Sequence, residues 1–308
     1  MSDPKRHHYL PEFYQKSWMG PDNKVTVFRR AYSGKLDPQR KARKAVGWEQ
    51  DLYADLSEID PARRQQVERV FMKKVDDLAA DALFEMLSTG APPALHERAS
   101  GWARFLMSLL HRHPTRIAAI RAMVDLRSGE VMARFGENYA DLREEGDPET
   151  FEEYVVESSG RLASGMFAQF LPMIVDSERI GNVLLDMTWA VGVFRGTRFR
   201  FLTSDRPLMT SDGLGLSESF LMLPISPISY FLAAKSEEIV SNFKSAHPES
   251  VIKAVNHAIC VQAEHFVIAD SEAQARFVDN RLGLSQRHKI VRDDRGQIFW
   301  SHLRQLIS

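Results

Sequence analysis

The chain is 308 residues long, 44% hydrophobic and nearly neutral, with 40 basic residues against 41 acidic ones. Such a length buries a substantial core and such a composition excludes a disordered chain, while the absence of a basic excess argues against long nucleic acids as a partner. The one cysteine, Cys260, allows no intrachain disulfide and is expected to be a small buried hydrophobe in a reducing compartment. No apolar run approaches the ~20 residues that span a bilayer. The N-terminus lacks a signal peptide's apolar core, so a cytoplasmic protein without a membrane partner is expected.

In chain order, "RHHYLPEFYQKSW" at 6–18 comes first, with two histidines among Tyr9, Phe13, Tyr14 and Trp18. "KVTVFRR" alternates around Val25 and Val27 and predicts a strand, followed by a loop with Gly34 and Pro38. The basic run at 29–44 is read as a solvated loop in preference to a phosphate-binding arm. "VGWEQDLYAD" is mixed and stays unassigned. From Pro61, apolar residues from Val67 to Met86 recur at helical steps until "STGAPP" ends them. A second helix from about Leu95 carries Trp102, Phe105, Leu106, Leu109 and Leu110 on one face and breaks at Pro114. Residues 115–140 and 149–175 are expected to be helical as well.

The remainder is strand-rich. "MTWAVGVFR" and "RFRFLTSD" are expected to be strands joined by a turn at Gly196-Thr197, and "SFLMLPIS" and "SYFLAAK" to be two more. A helix at 249–264, the strand "HFVIA", a short helix and a hairpin in "HKIVRDDRGQIFW" complete the chain. The expected fold is α+β in a single domain, with a helical block at 61–176 and a sheet-rich part at 185–305. The N-terminal strand would join a mixed or antiparallel C-terminal sheet, across a central block of about four helices.

Four places break the bland pattern. His7 and His8 are adjacent, so in an extended chain they face opposite ways and do not readily share a metal ion. A structural role is preferred to ligation there, since neither HExxH nor CxxC is present. In "LLHRHPTR", His113 continues the apolar stripe of the preceding helix and Arg112 meets the core edge. A desolvated guanidinium there needs a carboxylate or an anionic ligand. In "FRFLTSDRPL", strand alternation puts Phe199, Phe201, Thr203 and Asp205 on one face. Asp205 then emerges at a strand end, although Ser204 and Asp205 are also ordinary turn residues. Asn256 lies on an apolar helix face, where its carboxamide must find partners.

Taken in order, "HHYLPEFY", "EQDLY" at 49–53, "RHP" at 112–114, "TSDRP" at 203–207, "LPISP" at 223–227 and the late Asn256 resemble domain-of-unknown-function family 4238. The likeness runs over roughly residues 6–280 and departs at His113, where the family pattern has a small polar residue. The family name implies positions and no reaction. Polar motif residues scattered along a chain suggest a shared pocket. The expectation is therefore that His7, His8, Arg112, Asp205 and Asn256 converge, with Ser204 beside them. In a hydrolase acting on a phosphate ester or nucleic acid, His7 or His8 would be the general base. Asp205 would orient it or hold a divalent metal ion, Arg112 would stabilise phosphate charge, and Asn256 and Ser204 would contact substrate. The alternative is a non-catalytic binding or sensing module for an anionic small molecule.

Overall fold

The structure, a computed structural model, describes residues 5–55, 58, 60–136, 139, 143, 146, 148–211 and 213–283. The fold is α+β, and the chain divides into two compact units assembled from separated stretches of sequence. A smaller, helical unit takes the chain up to His7, Glu49–Lys74 and His111–Ser177; the larger takes His8–Trp48, Val75–Leu110 and the chain from Glu178 onward. Strands β1 (Arg6–His8) and β4 (Trp48–Gln50), paired as a two-stranded ribbon, carry the chain from one unit into the other.

The larger unit holds two four-stranded sheets. In the first, β2 (Val25–Arg30) lies between β3 (Leu36–Lys41) and β10 (Val267–Ala269), and β6 (Thr203–Ser204) closes the order β3-β2-β10-β6. All its pairings are antiparallel. The expected N-terminal strand thus joins a C-terminal sheet, as Val27 opposite Ile268 shows. The stretch expected as a loop after β2 is instead β3. Pro38 lacks an N–H and is tolerated because β3 is an edge strand.

The second sheet has the order β5-β9-β8-β7, built from β5 (Thr188–Val193), β7 (Met209–Thr210), β8 (Phe220–Ser226) and β9 (Ser229–Ala234). Strands β8 and β9 are buried along their whole length, which is why they read as continuous apolar runs. Gly192 faces Tyr230 across the sheet, and a Cβ at that position would lie 2.2 Å from the tyrosine ring. Only glycine fits beneath that ring. The expected hairpin of "MTWAVGVFR" with "RFRFLTSD" does not form: β5 pairs with β9 over six residue pairs, while β6 belongs to the other sheet.

Helices α3 (Lys73–Thr89), α4 (His96–His111), α8 (Glu237–Ser245) and α9 (Pro248–Gln262) supply apolar faces to the larger unit. Its core packs Val251, Ile252, Val255 and Ile259 of α9 against Phe28, Phe201 and Tyr230. Gly101 of α4 sits against the Leu78 Cβ of α3, so those two helices approach closely. The helices are shared between the two units and do not form one block.

In the smaller unit, α5 (Pro114–Gly136) packs on α6 (Phe151–Val175). Arg121 of α5 lies 3.8 Å over the Phe167 ring and donates to the carbonyls of Leu52 (3.1 Å) and Ala54 (3.0 Å). Burial lowers the pKa of that guanidinium, against the pull of Asp125 and Asp55. Its two carbonyl partners and the ring take the place of water around it. The hairpin expected at 288–300 lies outside the described residues. No helix among the described residues is long and apolar enough to cross a membrane.

Candidate functional site

Residues 200–208 form an irregular segment in the larger unit, and β6 is its only regular pairing. Irregular buried backbone must satisfy its polar groups elsewhere, and here side chains from other elements do so. Asn256, fully buried on α9, accepts from the Leu202 N–H (2.8 Å) and donates to the Arg200 carbonyl (2.7 Å) and to Gln274 Oε1 (3.2 Å). Gln274 donates to the same Arg200 carbonyl at 2.9 Å. From the N-terminal side, the Trp18 indole N–H donates to the Phe201 carbonyl at 3.0 Å. Tyr14 donates its hydroxyl hydrogen to the Pro224 carbonyl (2.7 Å) and lies 2.8 Å from the Thr203 hydroxyl. Burial pushes the Tyr14 phenol far above its ordinary pKa, so it stays a donor at any working pH.

Asp205, 3% exposed, closes the segment. Its Oδ1 accepts from the Glu264 N–H (3.1 Å) and its Oδ2 from the His265 N–H (2.5 Å), in the loop between α9 and β10. Its own N–H reaches the Phe266 carbonyl at 3.3 Å. Ser204 Oγ accepts from the Arg206 N–H at 3.2 Å, a local turn bond, and Arg206 pairs with Glu264. Gln262 donates to the Arg206 carbonyl. The carboxylate, the amide and the indole therefore bind main chain of this segment or of the loop beside it, and the phenol ties the segment's Thr203 hydroxyl to the Pro224 carbonyl of β8.

In the smaller unit, His7 is fully buried and stacked on Tyr53, with ring centroids 5.3 Å apart. Its Nδ1 accepts from the Tyr53 N–H at 2.9 Å and its Nε2 lies 2.5 Å from Gln65 Oε1. An accepting Nδ1 carries no proton, and Oε1 can only accept, so His7 is the neutral tautomer with hydrogen on Nε2. Gln65 in turn donates to Asp51 at 2.8 Å. Tyr53 also donates its hydroxyl to the Arg112 carbonyl at 3.0 Å, so one tyrosine serves both predicted positions. In the larger unit, His8 Nε2 is 3.7 Å from Glu12 Oε1, beyond hydrogen-bond length.

The segment 111–116 has a different character. Pro114 ends α4 and opens α5, as its ring requires. His113 caps α5: its carbonyl accepts from Arg116 N–H (2.8 Å) and Ile117 N–H (2.9 Å), and its Nδ1 from Thr115 N–H (3.3 Å). Arg112 is 1% exposed and His113 3%, while Arg116 is exposed. The pKa of His111 is lowered by burial first and then by the positive charge of Arg116. "HRHPTR" thus gathers four basic residues and no acidic one at a helix N-terminus, itself a positive end.

Of the predicted residues, the structure places His7 and Arg112 in the smaller unit, both touching Tyr53. Asp205, Ser204 and Asn256 lie in the larger unit, around one segment, and His8 lies near Glu12. Tyr53, Gln65, Tyr14, Trp18 and Arg116 were not among the candidates. For Tyr53 a signal existed in "EQDLY", and for Arg116 in the charge density of "HRHPTR"; Gln65 lies 58 residues from His7 with nothing local to mark it.

The family model described as "Protein of unknown function (DUF4238)" matches residues 6–273, and the chain belongs to that family. No curated protein and no solved structure matches the chain.

Proposed function

We propose that this member of the family is a cytoplasmic protein that binds an anionic small molecule at the 111–116 segment and does not cleave it. The observation that carries the reading is the charge of this segment, four basic residues and no acidic one where α5 opens, with Arg116 exposed. Guanidinium groups suit planar anions such as carboxylate and phosphate, which they bind bidentately. The pKa of His111 is lowered first by burial and further by the charge of Arg116, which adds a positive field to the segment.

The hydrogen bonds weigh against the hydrolase reading. A general base needs a nitrogen that can take a proton, and Nδ1 of His7 already accepts the Tyr53 N–H while Nε2 carries hydrogen toward Gln65. Both oxygens that Asp205 would offer a divalent ion accept main-chain N–H groups. The single cysteine, buried and with its thiol pushed up to about 12 by desolvation, fits a reducing compartment.

Titration calorimetry of the full chain with inorganic phosphate, pyrophosphate and a mononucleotide tests the proposal. Saturable binding is expected, weakened about tenfold by Arg116→Ala (about 1.4 kcal/mol), with no phosphate released from p-nitrophenyl phosphate with or without magnesium. Absence of binding at millimolar anion would overturn it. Turnover that Asp205→Asn abolishes while the fold survives would establish the hydrolase instead.

A further inference from the structure

We propose that the β2–β3 hairpin, with the turn Arg43–Ala45 that continues it, is a docking surface for single-stranded nucleic acid. Between positions 24 and 44 the chain carries eight basic residues and one acidic residue, Asp37, in a protein whose formal charge is −1. Part of this charge serves the fold. Arg30 pairs with Asp279, and Arg40 pairs with Asp22 and donates to the Thr26 hydroxyl at 2.7 Å. Arg29 lies over the Phe266 ring at 5.2 Å and Arg43 donates to the Glu12 carbonyl at 3.2 Å. Lys24, Lys35, Lys41 and Lys44, by contrast, form no ion pair among the described residues.

These lysines lie at the two ends of the hairpin. Lys41 stands opposite Val25, next to Lys24, and Lys44 lies three residues on; Lys35 sits at the other end, beside the hairpin tip. At a strand's rise, Lys35 to Lys41 covers about 20 Å, a length that a few extended nucleotides match. Tyr32 at the tip is completely exposed (111%), although an aromatic ring gains nothing for the fold in water. Lysines at both ends of a hairpin with a bare aromatic ring at its tip suit a phosphate backbone with one base stacked on the ring.

Protection of an edge strand is the competing explanation, since lysine and proline deter edge-to-edge pairing. It accounts for Lys35, Pro38 and Lys41. It leaves Lys24 and Lys44, which lie off the strand, and the exposed tyrosine. An anionic membrane would use the same charge, but an interfacial element also buries an apolar face. Tyr32 is the one large apolar side chain exposed among residues 22–46. This surface lies in the larger unit, so the proposal stands independently of anion binding at 111–116.

The test is fluorescence anisotropy of the full chain with a labelled 15-nucleotide oligothymidine at several salt concentrations. Saturable binding is expected, and the exposed-site triple variant Lys24→Glu/Lys35→Glu/Lys44→Glu should weaken it at least tenfold. The slope of log K against log salt should flatten by about 2, from ~0.7 per lost phosphate contact. Tyr32→Ala should weaken binding severalfold at unchanged slope, as loss of stacking does. Binding that the triple variant leaves intact, or no binding at 50 mM salt, would overturn the proposal. So would charge-sensitive binding to phosphatidylserine vesicles without binding to the oligonucleotide.

Discussion

Residues 200–208 and 111–116 both carry motif residues, and the two segments use them in opposite ways. In the first, Asn256 and Asp205 bind main-chain groups, as do Tyr14 and Trp18, which arrive from the N-terminal motif. In the second, His113 caps the main chain of the α5 start, and the cations beside it add charge to an already positive helix end. A polar residue in a motif is thus not yet a functional residue. What decides is whether its polar atoms meet backbone that would otherwise be unsatisfied.

That contrast is sharpest under mutation. Asn256→Ala removes bonds to Arg200, Leu202 and Gln274 and strands buried groups, so a loss of about 3 kcal/mol is expected in chemical denaturation. A variant as stable as the wild type would detach Asn256 from the scaffold. Gly192→Ala should cost about 2 kcal/mol, because the added Cβ meets the Tyr230 ring and the strand must shift. Tyr14→Phe keeps the ring and leaves the Pro224 carbonyl and the Thr203 hydroxyl short of a partner, for about 1–2 kcal/mol. By contrast, Arg116→Ala is expected to leave stability within about 0.5 kcal/mol, as exposed positions do, and to change only anion binding.

Cys260 supplies a pH test of the same core. Desolvation raises its thiol from 9.0 to about 12, with the charge of Arg281 opposing. The unfolded chain therefore loses this proton at lower pH than the folded one. This contribution to stability is intact below pH 9 and is lost as pH rises from 9 toward 12. Thiol labelling of the native chain at pH 8 should be slow, and rapid labelling would show the site to be open.

How much of this was legible in the sequence differs element by element. Helix α4 could be read from Trp102, Phe105, Leu106 and Leu109 because it buries one face, and β8 and β9 from their unbroken apolar runs. The N-terminal strand is expected to join the C-terminal sheet for want of an early partner, but β3 is such a partner, and the C-terminal β10 pairs on the other side of β2. Residues 199–205 misled because Phe199, Phe201 and Thr203 alternate as in a strand, whereas residues 201–205 are all buried and side chains do the work of a neighbouring strand. The grip of Asp205 on the 264–265 loop and of His7 on Gln65 spans about sixty residues each, and no local pattern carries such a distance.

Asp205→Asn is the most direct test of the claim that the TSDRP motif is scaffold. The two side chains are nearly isosteric, but an amide offers one acceptor where the carboxylate offers two, and its NH2 would face a main-chain N–H. Thermal unfolding and phosphate binding should be measured side by side on the variant and the wild type. The account predicts a melting temperature lower by several degrees, with phosphate affinity unchanged below the transition. An unchanged melting temperature with binding or turnover abolished would contradict it and return Asp205 to the chemistry.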